Sequence, residues 1–283
     1  PTAAVLDALV ESQMSAIGGG RAALPELERC VERALPRLLV GGGLFYVGDG
    51  TSGRIGMQDG VELLPTFGWA PERLVLLLAG GQDAVYQAAE GAEAREDVAR
   101  ADILAHQPGP DDVVLGIAAS GSTPYTCAAV AAARAAGSLT IGIACNRDGR
   151  LLREAELGVA VVTGPEVISG STRLKAGTAQ KATLNLMSTT LMIRMGHAYR
   201  GQMVDMRVVN AKLRQRACRM VRGLAGCSER QALAALETTG FNVKRAVMIC
   251  SGIPAAQVEA LLDAHGGNLR TIPGLAMPPA SGT

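Results

Sequence analysis

Leu44-Phe-Tyr-Val-Gly-Asp-Gly-Thr-Ser-Gly-Arg-Ile-Gly56 passes from a short apolar run through a glycine turn into a helical pattern that continues through Leu64. Four further apolar runs, four to six residues long, follow Leu44–Val47: Leu74–Ala79, Val113–Ala118, Thr140–Ala144 and Val159–Val162. Helical patterns separate them, notably Ala84–Ala105 and Pro124–Ala136. Each short run is continuously apolar instead of alternating, as strands are when helices cover both faces of a parallel sheet. The expected fold is therefore α/β, a doubly wound five-stranded parallel sheet. In such sheets ligands bind outside the carboxyl ends of the strands.

On either side of this core the sequence reads as helical. Residues 1–40 form an N-terminal helical segment, expected to break at Gly18–Gly20 and to resume at Pro25–Leu39, where Leu27, Val31, Leu35 and Leu38 share one face. Pro36 is expected to interrupt or bend that second helix. After Pro165 comes a hydroxyl-rich loop, then a long helix over Ala176–Met195. Beyond Gly201 the pattern is of short helices, with Ser228 and Gln231 spaced as a capping box and Gly240 and Gly266–Gly267 as stops. The division is 1–40, a sheet domain with its following helices over 41–222, a compact UBA-like helical module over 223–272, and a flexible tail at 273–283.

Composition excludes several classes. Aromatic residues are 3% of the 283, so the core must be aliphatic and no aromatic platform for stacking bases exists. A formal net charge of +1 gives no field for nucleic acid. The one dense cationic stretch, Lys212–Arg222, places Lys212, Arg216, Arg219 and Arg222 at three- and four-residue spacing, which reads as a solvated helix face, with an interface as the alternative. The six cysteines form no CxxC pair and several lie in apolar runs, which suits reduced thiols in the cytoplasm. His106, His197 and His265 lack ligand spacing, so no metal site is expected. No apolar run is long enough for a membrane span and no signal peptide is visible, so no membrane association is expected.

Gly48-Asp-Gly-Thr-Ser-Gly53 matches GxGxxG, but a dinucleotide site also needs an acidic residue at the end of the second strand. That strand ends instead in Ala79-Gly80-Gly81. Hydroxyls recur where the acid is missing. Thr51, Ser52 and Gly53 follow the first strand, Ser120-Gly121-Ser122-Thr123 the third, and Ser169-Gly-Ser171-Thr172 the fifth, with Lys175 close behind. Converging O–H and N–H donors at helix N-termini suit a phosphate monoester. A single such loop is more often an ordinary cap and turn. Three, each after a strand and so at one sheet edge, point to a monophosphate-sized anion.

Two carboxylates flank these loops. Glu62, in Asp59-Gly-Val-Glu-Leu-Leu64, sits among apolar neighbours and is a candidate proton donor, although a glutamate reaching solvent fits the pattern equally. Glu90 and Glu93 fall on one face of the expected Ala84–Ala105 helix and read, by pattern alone, as solvated charge.

The segments LFYVGDGTSGRIGMQDGVELLPTFGW, AGGQDAVYQAAEGAE, DVVLGIAASGSTPYT, GPEVISGSTRLKAGTAQKATLNLMST and GQMVDMRVVNAKLRQRA resemble, in order, the N-acetylmuramic acid 6-phosphate etherases, a family with the sugar isomerase (SIS) fold. The resemblance covers about residues 41–217, and NVKRAVM and HGGNLR extend it into the helical tail. Glucokinase regulatory proteins share these motifs in a longer chain with two SIS domains. The resemblance implies cleavage of the lactyl ether of N-acetylmuramic acid 6-phosphate without metal or cofactor, in a homodimer whose subunits help build each site. It implies Glu62 as the acid, Glu93 as the second catalytic carboxylate, and Thr51, Ser52, Ser120, Ser122 and Thr123 as phosphate-binding positions. Three motifs depart from the family's usual form: GAGTSGR is GDGTSGR, introducing Asp49; SGRTP is SGSTP, placing Ser122 where an arginine is usual; and ASECPP is GVELLP. A non-catalytic sugar-phosphate sensor and an aldose–ketose sugar-phosphate isomerase are the alternatives.

Overall fold

A computed structural model of the chain describes residues 1–87 and 89–275; residues 276–283 of the expected tail lie outside the described residues. The chain divides into two compact units, one of Pro1–Val61 with Ala70–Thr190, the other of Glu62–Trp69 with Leu191 onward.

Two helices open the first unit, α1 (Thr2–Ala22) and α2 (Leu24–Leu39). α1 runs through Gly18–Gly20 without the expected break. A Cβ on Gly19 would lie 2.6 Å from the Val162 carbonyl oxygen, so glycine here permits close packing instead of a turn. Pro36 lies inside α2, near its end, and does not interrupt it. β1 (Leu44–Gly48), α3 (Gly50–Val61), α4 (Leu63–Phe67) and β2 (Leu74–Leu78) follow.

The helix expected over Ala84–Ala105 is the largest departure. Gly80, Gly81 and Gly91 take φ of 85°, 72° and 74°. Gly80 and Gly81 lie ahead of the expected helix, but the left-handed angle at Gly91 falls inside it and interrupts an α-helix. The chain instead makes 3-10 turns at Gln82–Val85 and Ala92–Ala94, and only α5 (Glu96–Ala105) is α-helical. Glu90 and Glu93 therefore share no helix face.

β3 (Val113–Ala118), α6 (Pro124–Ala135), β4 (Leu139–Ala144), α7 (Arg150–Glu154) and β5 (Leu157–Ala160) complete the sheet, all parallel, in the order β2-β1-β3-β4-β5. β1 is buried along its length. Phe45 and Val47 enter a cluster with Ala99, Ile103 and Ala129 of α5 and α6, whereas the Tyr46 hydroxyl donates to Asp59 of α3 at 2.8 Å. Successive residues thus serve opposite faces, the period-two logic of a covered strand. α8 (Lys175–Arg194) follows the last sheet loop, and its Asn185 and Ser188 donate to the same buried Asp59 at 2.6 and 3.2 Å.

The second unit has its own core, including Val204, Met206, Val221, Leu236, Val247 and Leu269. Besides α4 and the end of α8 it contains a hairpin unforeseen in the sequence, β6 (Ala198–Tyr199) and β7 (Gln202–Met203), whose two-residue turn puts Arg200 and Gly201 at φ 47° and 73°. Positive φ at both positions suits the tight hairpin turn. Short helices α9 (Ala211–Ala225), α10 (Glu229–Thr238), α11 (Val243–Cys250) and α12 (Ala255–Ala264) complete the described residues, with the Ser228/Gln231 capping box formed.

Candidate active site

A sheet ordered β2-β1-β3-β4-β5 has its topological switch point between β1 and β3, where the connections leave to opposite sides and a crevice opens at the carboxyl ends. The first two hydroxyl loops flank that crevice. After β1, α3 starts at once, so Thr51 and Ser52 lie in its first turn with its free amides. A Cβ on Gly53 would meet the Gly48 carbonyl carbon at 2.8 Å, so only glycine lets α3 begin this close to the strand.

Thr51 is half-buried. Ser52 is buried, and its hydroxyl donates to Gln180 Oε1 at 3.0 Å. Gln180 went unnoticed in the sequence, though a polar side chain in an apolar helix pattern was the available signal. It is fully buried, and its Nε2 has no hydrogen-bond partner. An anion's oxygen bound beside Ser52 is the kind of acceptor that such a donor needs.

After β3, Gly121 has φ 69°, and a Cβ there would lie 2.8 Å from Gly149 Cα. Ser120 and Ser122 are exposed, and the Ser120 hydroxyl accepts from the Ser122 amide at 3.1 Å. Thr123 is the N-cap of α6 but makes no side-chain cap bond.

The third loop is built differently. The start of α8 approaches α3: a Cβ on Gly177 would lie 3.4 Å from the Thr51 methyl and 3.5 Å from the Thr172 carbonyl oxygen. The α8 N-terminus already holds an anion. Glu166 accepts from the amides of Lys175 and Ala176 at 3.1 and 2.8 Å. The Lys175 ammonium, 6% exposed, donates to the Pro165 carbonyl at 2.6 Å. Ser171 is half-buried and Thr172 exposed, ahead of that cap.

The carboxylates lie on separate elements. Glu93 is exposed in the 3-10 turn that follows β2, the strand beside β1. Arg54, also in the start of α3, reaches across to this segment. Its Nε donates to the Ala84 and Val85 carbonyls at 3.0 and 3.2 Å, and its Nη2 to Ala84 and Gln87 at 2.7 and 3.5 Å. Asp49 lies next to this arrangement. Burial first, then the negative charge of Glu93, raise its carboxyl above the ordinary range, while the Gly50 amide and Arg54 pull it down. Glu62 is exposed at the N-cap of α4 and makes no side-chain cap bond. α3 is 12 residues long, roughly 18 Å of rise, so Glu62 follows the end of that helix opposite to Thr51.

Among the described residues no group of three or more His, Cys, Asp or Glu side chains is placed to hold a metal ion, and no helix is long and apolar enough to cross a membrane. All six cysteines are free; burial pushes the Cys30 and Cys145 thiols up to about 12, which suits inert core thiols.

Comparison with known proteins bears on the fold and the family. The family described as the glucokinase regulatory protein N-terminal SIS domain matches residues 26–134, and the SIS domain family matches residues 82–190. The chain is 48% identical to the N-acetylmuramic acid 6-phosphate etherase of Deinococcus radiodurans over 96% of this chain and 89% of that protein. It is 46% identical to the enzyme of the same name from Streptomyces coelicolor, over 87% of this chain and 80% of that one. Among solved structures, a phosphoheptose isomerase from Francisella tularensis superposes with a TM-score of 0.52 at 18% identity, covering 68% of this chain and 99% of that one. That likeness concerns the fold alone.

Proposed function

Because the chain belongs to the N-acetylmuramic acid 6-phosphate etherase family, we propose that the crevice between β1 and β3 binds the 6-phosphate of the open-chain sugar and that Glu93 and Glu62 perform the ether cleavage. The enzyme converts N-acetylmuramic acid 6-phosphate to N-acetylglucosamine 6-phosphate and D-lactate, a step of cell-wall sugar recycling. The observation that carries the site reading is the meeting of two hydroxyl-bearing helix starts, at Thr51–Ser52 and Ser120–Thr123, at the sheet's switch point.

In this reading the phosphate oxygens accept from the first-turn amides of α3 and α6 and from the hydroxyls of Thr51, Ser122 and Thr123. Ser171, Thr172 and Lys175 line the third side, with Lys175 leaving the Pro165 carbonyl for the anion. The Glu93 carboxylate takes the C2 proton, which the C1 aldehyde acidifies. The C3–O bond breaks, and Glu62 as a carboxylic acid protonates the departing lactyl oxygen. Water then adds its hydroxyl to C3 of the unsaturated aldehyde while its proton passes to the Glu62 carboxylate, and the Glu93 carboxylic acid returns a proton to C2, which restores both groups. The net change is one water consumed and one lactate released.

The placement of Glu62 supports a shared site. It follows the end of α3 opposite to the hydroxyls of its own chain, so in our reading it serves the crevice of a second copy in a homodimer. The free thiols suit a reducing compartment, and we place the reaction in the cytoplasm.

The test is D-lactate release from N-acetylmuramic acid 6-phosphate by the purified protein in EDTA, with product formed in deuterated water carrying deuterium at C2. Binding of hexosamine phosphates without lactate release would overturn the etherase reading. Mixing and reassembling Glu62→Gln and Glu93→Gln subunits should restore activity that neither variant has alone. Failure to complement, with mixed dimers demonstrated, would place both glutamates in one subunit's site.

A further inference from the structure

Lys212, Arg216, Arg219 and Arg222 of α9 are all exposed, as expected of a solvated face, but the arginines of that helix are engaged differently. Arg214 lies over the Phe241 ring with its guanidinium carbon 4.6 Å from the centroid, and Arg222 pairs with Glu229 at 3.2 Å. Arg216 and Arg219 differ. They are exposed, one turn apart, and line a cavity of about 440 Å³ together with Arg200, Gln202, Met220 and Leu224.

Arg200 comes from a separate element, the β6–β7 turn, and the rest of the second unit holds it in place. Its φ of 47° is a left-handed angle that a non-glycine residue seldom takes. Its Nη1 and Nη2 donate to the Leu224 and Leu275 carbonyls at 3.5 and 3.3 Å, and its guanidinium lies 5.1 Å from the Tyr199 ring centroid. Its Nε is buried with no hydrogen-bond partner. Among the described residues no carboxylate lines this cavity.

We propose that Arg200, Arg216 and Arg219 form a second anion site in the helical unit, one that takes a phosphate group carried by a small molecule. Three arginines line one concavity whose walls include Met220 and Leu224. Low-dielectric walls focus a positive potential within a cleft. The planar guanidinium offers paired donors that match phosphate oxygens. Gln202 adds a neutral amide on the same rim. The neighbouring arginines are occupied by an aromatic ring and a carboxylate, whereas these side chains retain donors for a ligand.

Inorganic phosphate titrated into the full chain at low ionic strength, followed by calorimetry, tests the site. Two sites per chain are expected. The Ser120→Ala/Thr123→Val variant should lose the one at the sheet edge, and Arg216→Gln/Arg219→Gln the other. Each arginine removed should weaken the second site about tenfold. Lys212→Gln, which removes a cation outside the cavity, should leave it unchanged. Both arginines are exposed, so the variant should keep the wild-type melting temperature in phosphate-free buffer. A single wild-type site that vanishes in the Ser120/Thr123 variant would overturn the proposal. So would unchanged binding in the arginine variant, or an equal loss with Lys212→Gln, which would mark diffuse charge.

Discussion

The loops after β1 and β2 leave adjacent strands, yet they are held by opposite means. The first becomes α3 within one or two residues of the strand end, so Thr51 and Ser52 inherit the rigidity of a helix. The second passes through three left-handed glycines and two 3-10 turns before α5 begins. Four hydrogen bonds from Arg54 tie its first turn to the start of α3. In the proposed mechanism the phosphate is gripped by backbone geometry, whereas the C2 base depends on one borrowed side chain. Binding and catalysis should therefore respond to different substitutions.

The strongest way to break the comparison is at the base itself. Glu93→Gln should lower lactate release by ~10³-fold or more, while N-acetylglucosamine 6-phosphate still binds with near wild-type affinity by calorimetry. Loss of binding in step with rate would mean that the two loops are one device.

Arg54→Met comes next. If Arg54 positions the Glu93 segment, kcat should fall by ~10²-fold with KM changed little, and amides in the 82–94 segment should exchange faster with deuterated solvent. Arg54→Lys should recover only part of the rate, because one ammonium cannot replace a fork that reaches three carbonyls. A change in KM alone would assign Arg54 to phosphate binding.

Thr123→Val addresses the rigid side. Removing an uncommitted hydroxyl from the α6 N-cap should raise KM by roughly tenfold and leave kcat within a factor of about two. An equal fall in kcat would show that the hydroxyl acts in the transition state.

Asp49→Asn should have the smallest effect. The folded-state pKa of Asp49 is raised, chiefly by burial and then by Glu93. The native state therefore holds its proton more tightly than the unfolded chain, and stability falls as pH rises from the unfolded value through the folded one. Asparagine removes that penalty. The melting temperature should increase by ~1–2 °C at pH 7, with the gain shrinking as pH falls toward 4. A gain independent of pH would assign the effect to packing.

Much of this arrangement was legible from local pattern. The five strands, the hydroxyl loops and the Ser228 cap follow from apolar runs and turn chemistry that act over a few residues. The Ala84–Ala105 segment is not one helix, although its alanines and glutamates favour helix, because Gly91 inside it takes a left-handed backbone angle. The roles of Gln180, Arg54 and Glu166 depend on partners far along the chain or across a loop, and spacing says nothing of them.

By itself the sequence determined the parallel sheet and the places where hydroxyls meet helix starts, because strand burial and helix capping are written in neighbouring residues. Only the tertiary structure decided which of those groups remain available. It committed Ser52 to Gln180 and Lys175 to a carbonyl, left Gln180 with an unpaired donor, and placed Arg54 against the segment that carries Glu93. Hydrogen bonds between distant residues exist only once the sheet order brings their elements together.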